Sequence, residues 1–100
     1  MKNLLPLGTV FLYPGTNEKV IIISRRTYSP ENATIYDYIC AYWPEGYASH
    51  EDCFVVNHED IGEILHQGYS DAEDIEFLLK IRDYDEEFFK NAGRLTTEGG

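Results

Sequence analysis

Positive charge is scarce in this chain. Eight Lys and Arg face eighteen Asp and Glu over 100 residues, a formal net charge of −10. A field of that sign repels phosphate backbones and anionic headgroups, which argues against generic nucleic-acid or membrane-surface binding. No apolar run approaches the roughly twenty residues that cross a bilayer. The opening Met1-Lys2-Asn3-Leu4-Leu5-Pro6 lacks the apolar core of a secretory leader, so a cytoplasmic protein is expected. Cysteine is limited to Cys40 and Cys53. Both are expected as reduced thiols behaving as small core residues, although neighbouring strands could also bring them into a bridge. Gly8, Gly15, Gly46, Gly62 and Gly68 stand alone, each where a turn explains it, so no phosphate-cradling loop exists.

What is present is a globular composition, 43% hydrophobic and 26% charged, with eight Tyr against a single Trp. One hundred residues suit one compact domain that buries a core without metals or disulfides. Many half-buried Tyr favour sheets and interaction surfaces, because the ring packs while the hydroxyl stays wet. The charge is unevenly distributed. Residues 1–50 balance, whereas residues 51–100 carry four bases and fourteen acids and hence the whole excess. A basic protein partner is the natural complement, though an acidic surface also simply confers solubility.

The centre of the chain is the stretch 54–69, where an apolar run breaks at Asn57-His58-Glu59-Asp60 and resumes with Ile61, Ile64 and Leu65. It reads as two buried strands joined by a tight polar turn, or a strand followed by a helical turn; Gly62 inside 61–67 tips that segment toward strand. Upstream, β-branched and aromatic residues predict a strand over 9–13, and Pro14-Gly15 a type II turn. A second strand is predicted over 19–25, where four consecutive β-branched residues imply a central position. Residues 26–33 read as a polar connection that Pro30 keeps out of regular pairing. A third strand over 34–43 places Tyr36, Tyr38, Cys40 and Tyr42 on one side and Ile35, Asp37, Ile39, Ala41 and Trp43 on the other. Pro44-Glu45-Gly46 turns the chain, and a fourth strand begins near Cys53.

Downstream, Ser70 and Glu73 form a capping box ahead of an amphipathic helix carrying Ile75, Leu78 and Leu79 on one face. Asp83-Tyr84-Asp85 breaks it. A second short helix is expected over 86–92, and residues 94–100 as a disordered tail. The fold class is therefore α+β: one domain over 1–93, a strongly bent antiparallel sheet of four or five strands, barrel-like in the limit, followed by one or two helices packed on it.

Chemistry is sought with little return. His58-Glu59 begins a zincin motif whose second histidine would fall at position 62, which is Gly62. His50, Cys53, His58 and His66 offer nitrogen and sulfur donors, but their spacing matches no structural zinc pattern. Cys53, His58 and Asp60 can be written as a nucleophile, base and orienter, as nearby residues can in any short chain, since such triads are defined by geometry. The expectation is no catalytic residue, cofactor or metal; the competing reading is a small metal protein or enzyme using His50, Cys53 and His58. The aromatic residues are more suggestive. Tyr36, Tyr38, Tyr42, Trp43 and Tyr47 could form a partner-binding face, with Trp and Tyr as anchors. Stacking on nucleic acid, with Tyr28, Arg25 and Arg26 added, is opposed by the overall field; half of these rings could equally be core.

Several separated motifs carry a resemblance: Leu5-Pro6-Leu7-Gly8-Thr9-Val10, Ile22-Ile23-Ser24-Arg25, Tyr36-Asp37-Tyr38, Trp43-Pro44-Glu45-Gly46-Tyr47, Asn57-His58-Glu59-Asp60-Ile61 and Gly68-Tyr69. Over roughly residues 4–82 the chain resembles the domain-of-unknown-function family 4176, small proteins of Gram-positive bacteria often encoded beside type VII secretion genes and their LXG toxins. The resemblance implies a cytosolic, non-enzymatic accessory of toxin export, a chaperone or targeting factor, or alternatively an immunity protein. It brings no catalytic residues, and it implies that the turns at 43–47 and 57–60 have shapes that matter.

Overall fold

The computed structural model describes residues 4–29 and 31–83. Five strands are present: β1 (Val10–Leu12), β2 (Lys19–Ser29), β3 (Thr34–Tyr42), β4 (Phe54–Val56) and β5 (Ile64–His66). They form one antiparallel sheet in the order β4-β3-β2-β1-β5, and a helix, α1, covers residues 72–83. This is the expected α+β class. Two compact units divide the chain after Ser70, the sheet lying in the first and α1 in the second. Among the described residues no helix is long and apolar enough to cross a membrane. The short helix expected over 86–92 and the tail over 94–100 lie outside the described residues.

The first hairpin forms as its turn chemistry dictates. Thr16 N–H donates to Tyr13 O at 3.1 Å, and Gly15 at φ +81° supplies the left-handed position of a type II turn. β2 is indeed central, with β1 on one side and β3 on the other. It is longer than expected. Residues 26–29, read above as a loose connection, continue the strand and pair with β3 from Thr27↔Tyr36 to Ser29↔Thr34. The physical reason lies across the ladder, where Arg26 makes an ion pair with Asp37, a carboxylate only 1% exposed. A buried charge needs such a partner, and the pairing draws the polar segment into the sheet. The strand bends at an irregularity between Ile22 and Ser24 and again at Arg26, which sits at φ 54°.

Val10 and Ala41 are buried on one face of the sheet, and the other carries most of the core. Phe11, Val20, Ile22, Tyr38, Cys40 and Val56 are all buried, and the registers Phe11↔Val20, Ile22↔Cys40 and Tyr38↔Val56 place them in rows on that side. The lead-in crosses it: Leu4 is buried, and Leu5 N–H donates to the Tyr38 hydroxyl at 2.9 Å. The face is concave. The rings of Tyr13, just past β1, and Phe54 on β4 lie 5.5 Å apart, centroid to centroid, although two strands intervene and a flat sheet would separate those backbones by about 14 Å.

β4 and β5, read above as two buried strands about a tight turn, do not pair with each other. They occupy opposite edges, so the sheet is open. Between them a 3-10 turn over His58–Asp60 follows Asn57, and all three residues of β5 are exposed. Backbone proximity holds β5 in place. A Cβ at Gly62 would fall 2.2 Å from Leu12 O, and one at Gly68 would fall 2.0 Å from Leu7 O. Leu12 N–H donates to Glu63 O at 2.9 Å, and Gly68 N–H to the Thr9 hydroxyl at 3.1 Å. Only a residue without a side chain permits this approach at either end of the strand. The cap of α1 also differs from expectation by one residue. Asp71, not Ser70, caps the helix, its Oδ1 accepting the Asp74 N–H at 3.0 Å, the ordinary bond to the third helical amide.

Candidate protein-binding face

The five aromatic residues singled out in the sequence do not gather in one place. Tyr38 is 0% exposed and belongs to the core. Tyr36 is half-buried near the opposite end of β3, its hydroxyl accepting from Asn32 Nδ2 at 2.7 Å. The other three cluster in sequence at the end of β3 and the turn after it, with Tyr42 36%, Trp43 46% and Tyr47 65% exposed. Tyr42 is steadied against Phe54 at a centroid distance of 5.2 Å. The turn is pinned by Trp43 N–H donating to Lys19 O at 3.0 Å and Gly46 N–H to Tyr42 O at 2.7 Å. Trp43 is thus held at the rim of the sheet with its indole accessible.

Next to it runs an apolar groove of about 560 Å³, walled by Val10, Ile21, Trp43, Leu65 and His66 with Lys19 and Gly8 at its ends. The register Val10↔Ile21 and Val10↔His66 explains the gathering. Val10, Ile21 and His66 lie in one row across β5, β1 and β2, on the face opposite Phe11 and Val20. Sequence reasoning missed the groove because its walls come from four separate segments. The available signal was alternation: Ile21, between the buried Val20 and Ile22, had to point the other way. A smaller hollow adjoins it, where Lys19 sits among Glu18, Glu45, Asn17, Tyr42 and Trp43.

Of the histidines, His58 is tied into the fold. The His58 ring shares a hydrogen bond between Nδ1 and the Tyr38 hydroxyl at 2.7 Å, and its backbone N–H donates to Asp37 Oδ2 at 2.8 Å. With Asp37 N–H reaching Asn57 Oδ1 at 3.4 Å, β3 grips the 57–60 turn through three separate bonds. Burial raises the Tyr38 hydroxyl pKa, partly offset by the Leu5 amide, and the Asp37 charge raises it further. His50 is exposed on a 3-10 turn, and the Cys53 thiol donates to Ser49 O at 3.6 Å. Among the described residues no three His, Cys, Asp or Glu side chains gather as metal ligands. Both cysteines are free. Burial, with the Cys53 thiol nearby as a lesser cause, pushes the Cys40 thiol up to about 12.

These features define a small α+β protein whose open five-stranded sheet carries most of its core on one face and an apolar groove, with Trp43 in its wall, on the other. The chain belongs to the family described as Domain of unknown function (DUF4176), whose model matches residues 4–77. No curated protein matches it, and no solved structure does.

Proposed function

We propose that this chain is a non-enzymatic, cytosolic protein-binding accessory that acts as a chaperone or targeting factor for a type VII-secreted LXG toxin. The observation that carries the reading is the exposed Trp43 in the wall of an apolar groove, with exposed Tyr42 and Tyr47 close to it in sequence. Large aromatics beside a groove are what interface hot spots are made of, since each offers contact area at low cost in conformational entropy. The net charge of −10 supports a partner with a basic face, improving encounter rate and selectivity more than affinity. The toxin assignment draws on the resemblance of the chain to its family.

Co-expression of the chain with a neighbouring LXG toxin, followed by affinity purification, tests the proposal. The toxin is expected to co-purify, and a Trp43→Ala/Tyr47→Ala double variant to lose about 2 kcal/mol or more of binding, or roughly thirtyfold, with its melting temperature unchanged. A clean monomer that shifts with no neighbouring gene product overturns it. Rescue of growth against the toxin's C-terminal domain would make the chain an immunity protein instead.

A further inference from the structure

β5 ends the sheet. Among the described residues Ile64–His66 pairs with β1 and with no other strand. Its exposed side chains are Ile64, Leu65 and His66; it has neither the lysine nor the proline with which edge strands commonly repel another chain. The irregularity in its ladder is a bulge in β5 itself, where Ile64 and His66 pair with the adjacent Phe11 and Val10 and leave Leu65 as the extra residue. Leu65 also forms a wall of the groove, so the edge and the apolar hollow are continuous.

We propose that the outer edge of β5 takes up an extended, basic segment of another protein as a sixth strand, seating one of its apolar side chains between Leu65 and Trp43. This rests on the protein-binding reading above and specifies the chemistry of the partner. The edge calls for a strand, because main-chain amides and carbonyls there are matched by another extended backbone, while a pocket beside the edge selects side chains. Charge selects the occupant. Glu59, Asp60 and Glu63 are exposed immediately before the strand, and Lys19 shares its hollow with Glu18 and Glu45. A second copy of the chain would bring another −10 to the same edge, so pairing between copies is opposed where a lysine- or arginine-flanked strand is drawn in.

The test uses the full chain and four synthetic peptides: a Lys-flanked alternating Val/Thr strand, its Glu-flanked counterpart, an N-methylated copy of the first, and a Lys-rich amphipathic helix former. Binding is read from the fluorescence of Trp43, the only tryptophan, and from amide hydrogen exchange at Ile64–His66. The Lys-flanked strand is expected to bind and to slow exchange at the amides of that segment that face away from β1. N-methylation and the Glu flanks should each weaken it by about tenfold or more, the loss of one or two hydrogen bonds or of the charge match. Glu63→Lys should weaken the basic strand and leave the fold intact, because only the backbone of Glu63 bonds to β1. Equal binding of the N-methylated copy, or preference for the helical peptide with exchange at β5 unchanged, overturns strand addition while leaving the aromatic face as a protein-binding surface. Failure of all four peptides overturns it too, and co-purification with the toxin then decides the wider reading independently.

Discussion

Single residues carry the unusual constraints of this molecule. At Gly62 and Gly68 an added methyl group would meet backbone carbonyls that have no rotamer to retreat into. Gly62→Ala and Gly68→Ala are each expected to cost about 1–3 kcal/mol, read by urea denaturation, with β5 amides exchanging faster than those of β2. Cys40 gives a pH signature. Its pKa rises on folding from 9.0 to about 12, so the folded protein holds a proton that the unfolded chain gives up. The associated stability is complete below about pH 9 and is lost as pH rises toward 12. Cys40→Ala should flatten that alkaline decline, and a thiol reagent should reach Cys40 in the wild type only on unfolding. Tyr38→Phe removes the acceptor of the Leu5 amide and the partner of His58. It is expected to cost about 1–3 kcal/mol, because a buried donor loses its bond without regaining water.

At the scale of elements, most of the strands could be read directly and their neighbours could not. Pro14-Gly15 and the four β-branched residues from Val20 to Ile23 announce a turn and a central strand through local chemistry, and both are present. The alternation of β3 placed Tyr38 with Cys40 correctly but could not say which face was inside, so Tyr38 was counted with the surface aromatics. Residues 26–29 read as a connection because they are polar and run into Pro30, and the carboxylate of Asp37, eleven residues from Arg26, is what favours their pairing. β4 and β5 are close in sequence and sit on opposite edges, where Gly62 meets β1 and Gly68 meets the lead-in before it at long range. The groove was invisible for the same reason. The start of α1 shows how local such signals are. Ser70 and Asp71 both suit a cap, and the backbone uses Asp71. Asp71→Ala is expected to cost about 1 kcal/mol, seen as faster exchange in the first turn of the helix.

For the molecule as a whole, charge and strand order matter most. With eighteen acids and eight bases, the folded chain repels itself, and added salt should stabilise it. Raising ionic strength from about 0.01 M to about 0.15 M shortens the screening length from roughly 30 Å to roughly 8 Å, so the melting temperature should rise while association with a basic partner slows. The order of the sheet bears on how the protein is made. β1 leaves the ribosome before β5 and can fold onto β2 at once, yet its other flank waits for a strand about fifty residues further along. Throughout that interval the nascent hairpin has an adhesive border exposed to every neighbouring chain on the same message, and it is sealed only when Gly68 has been synthesised.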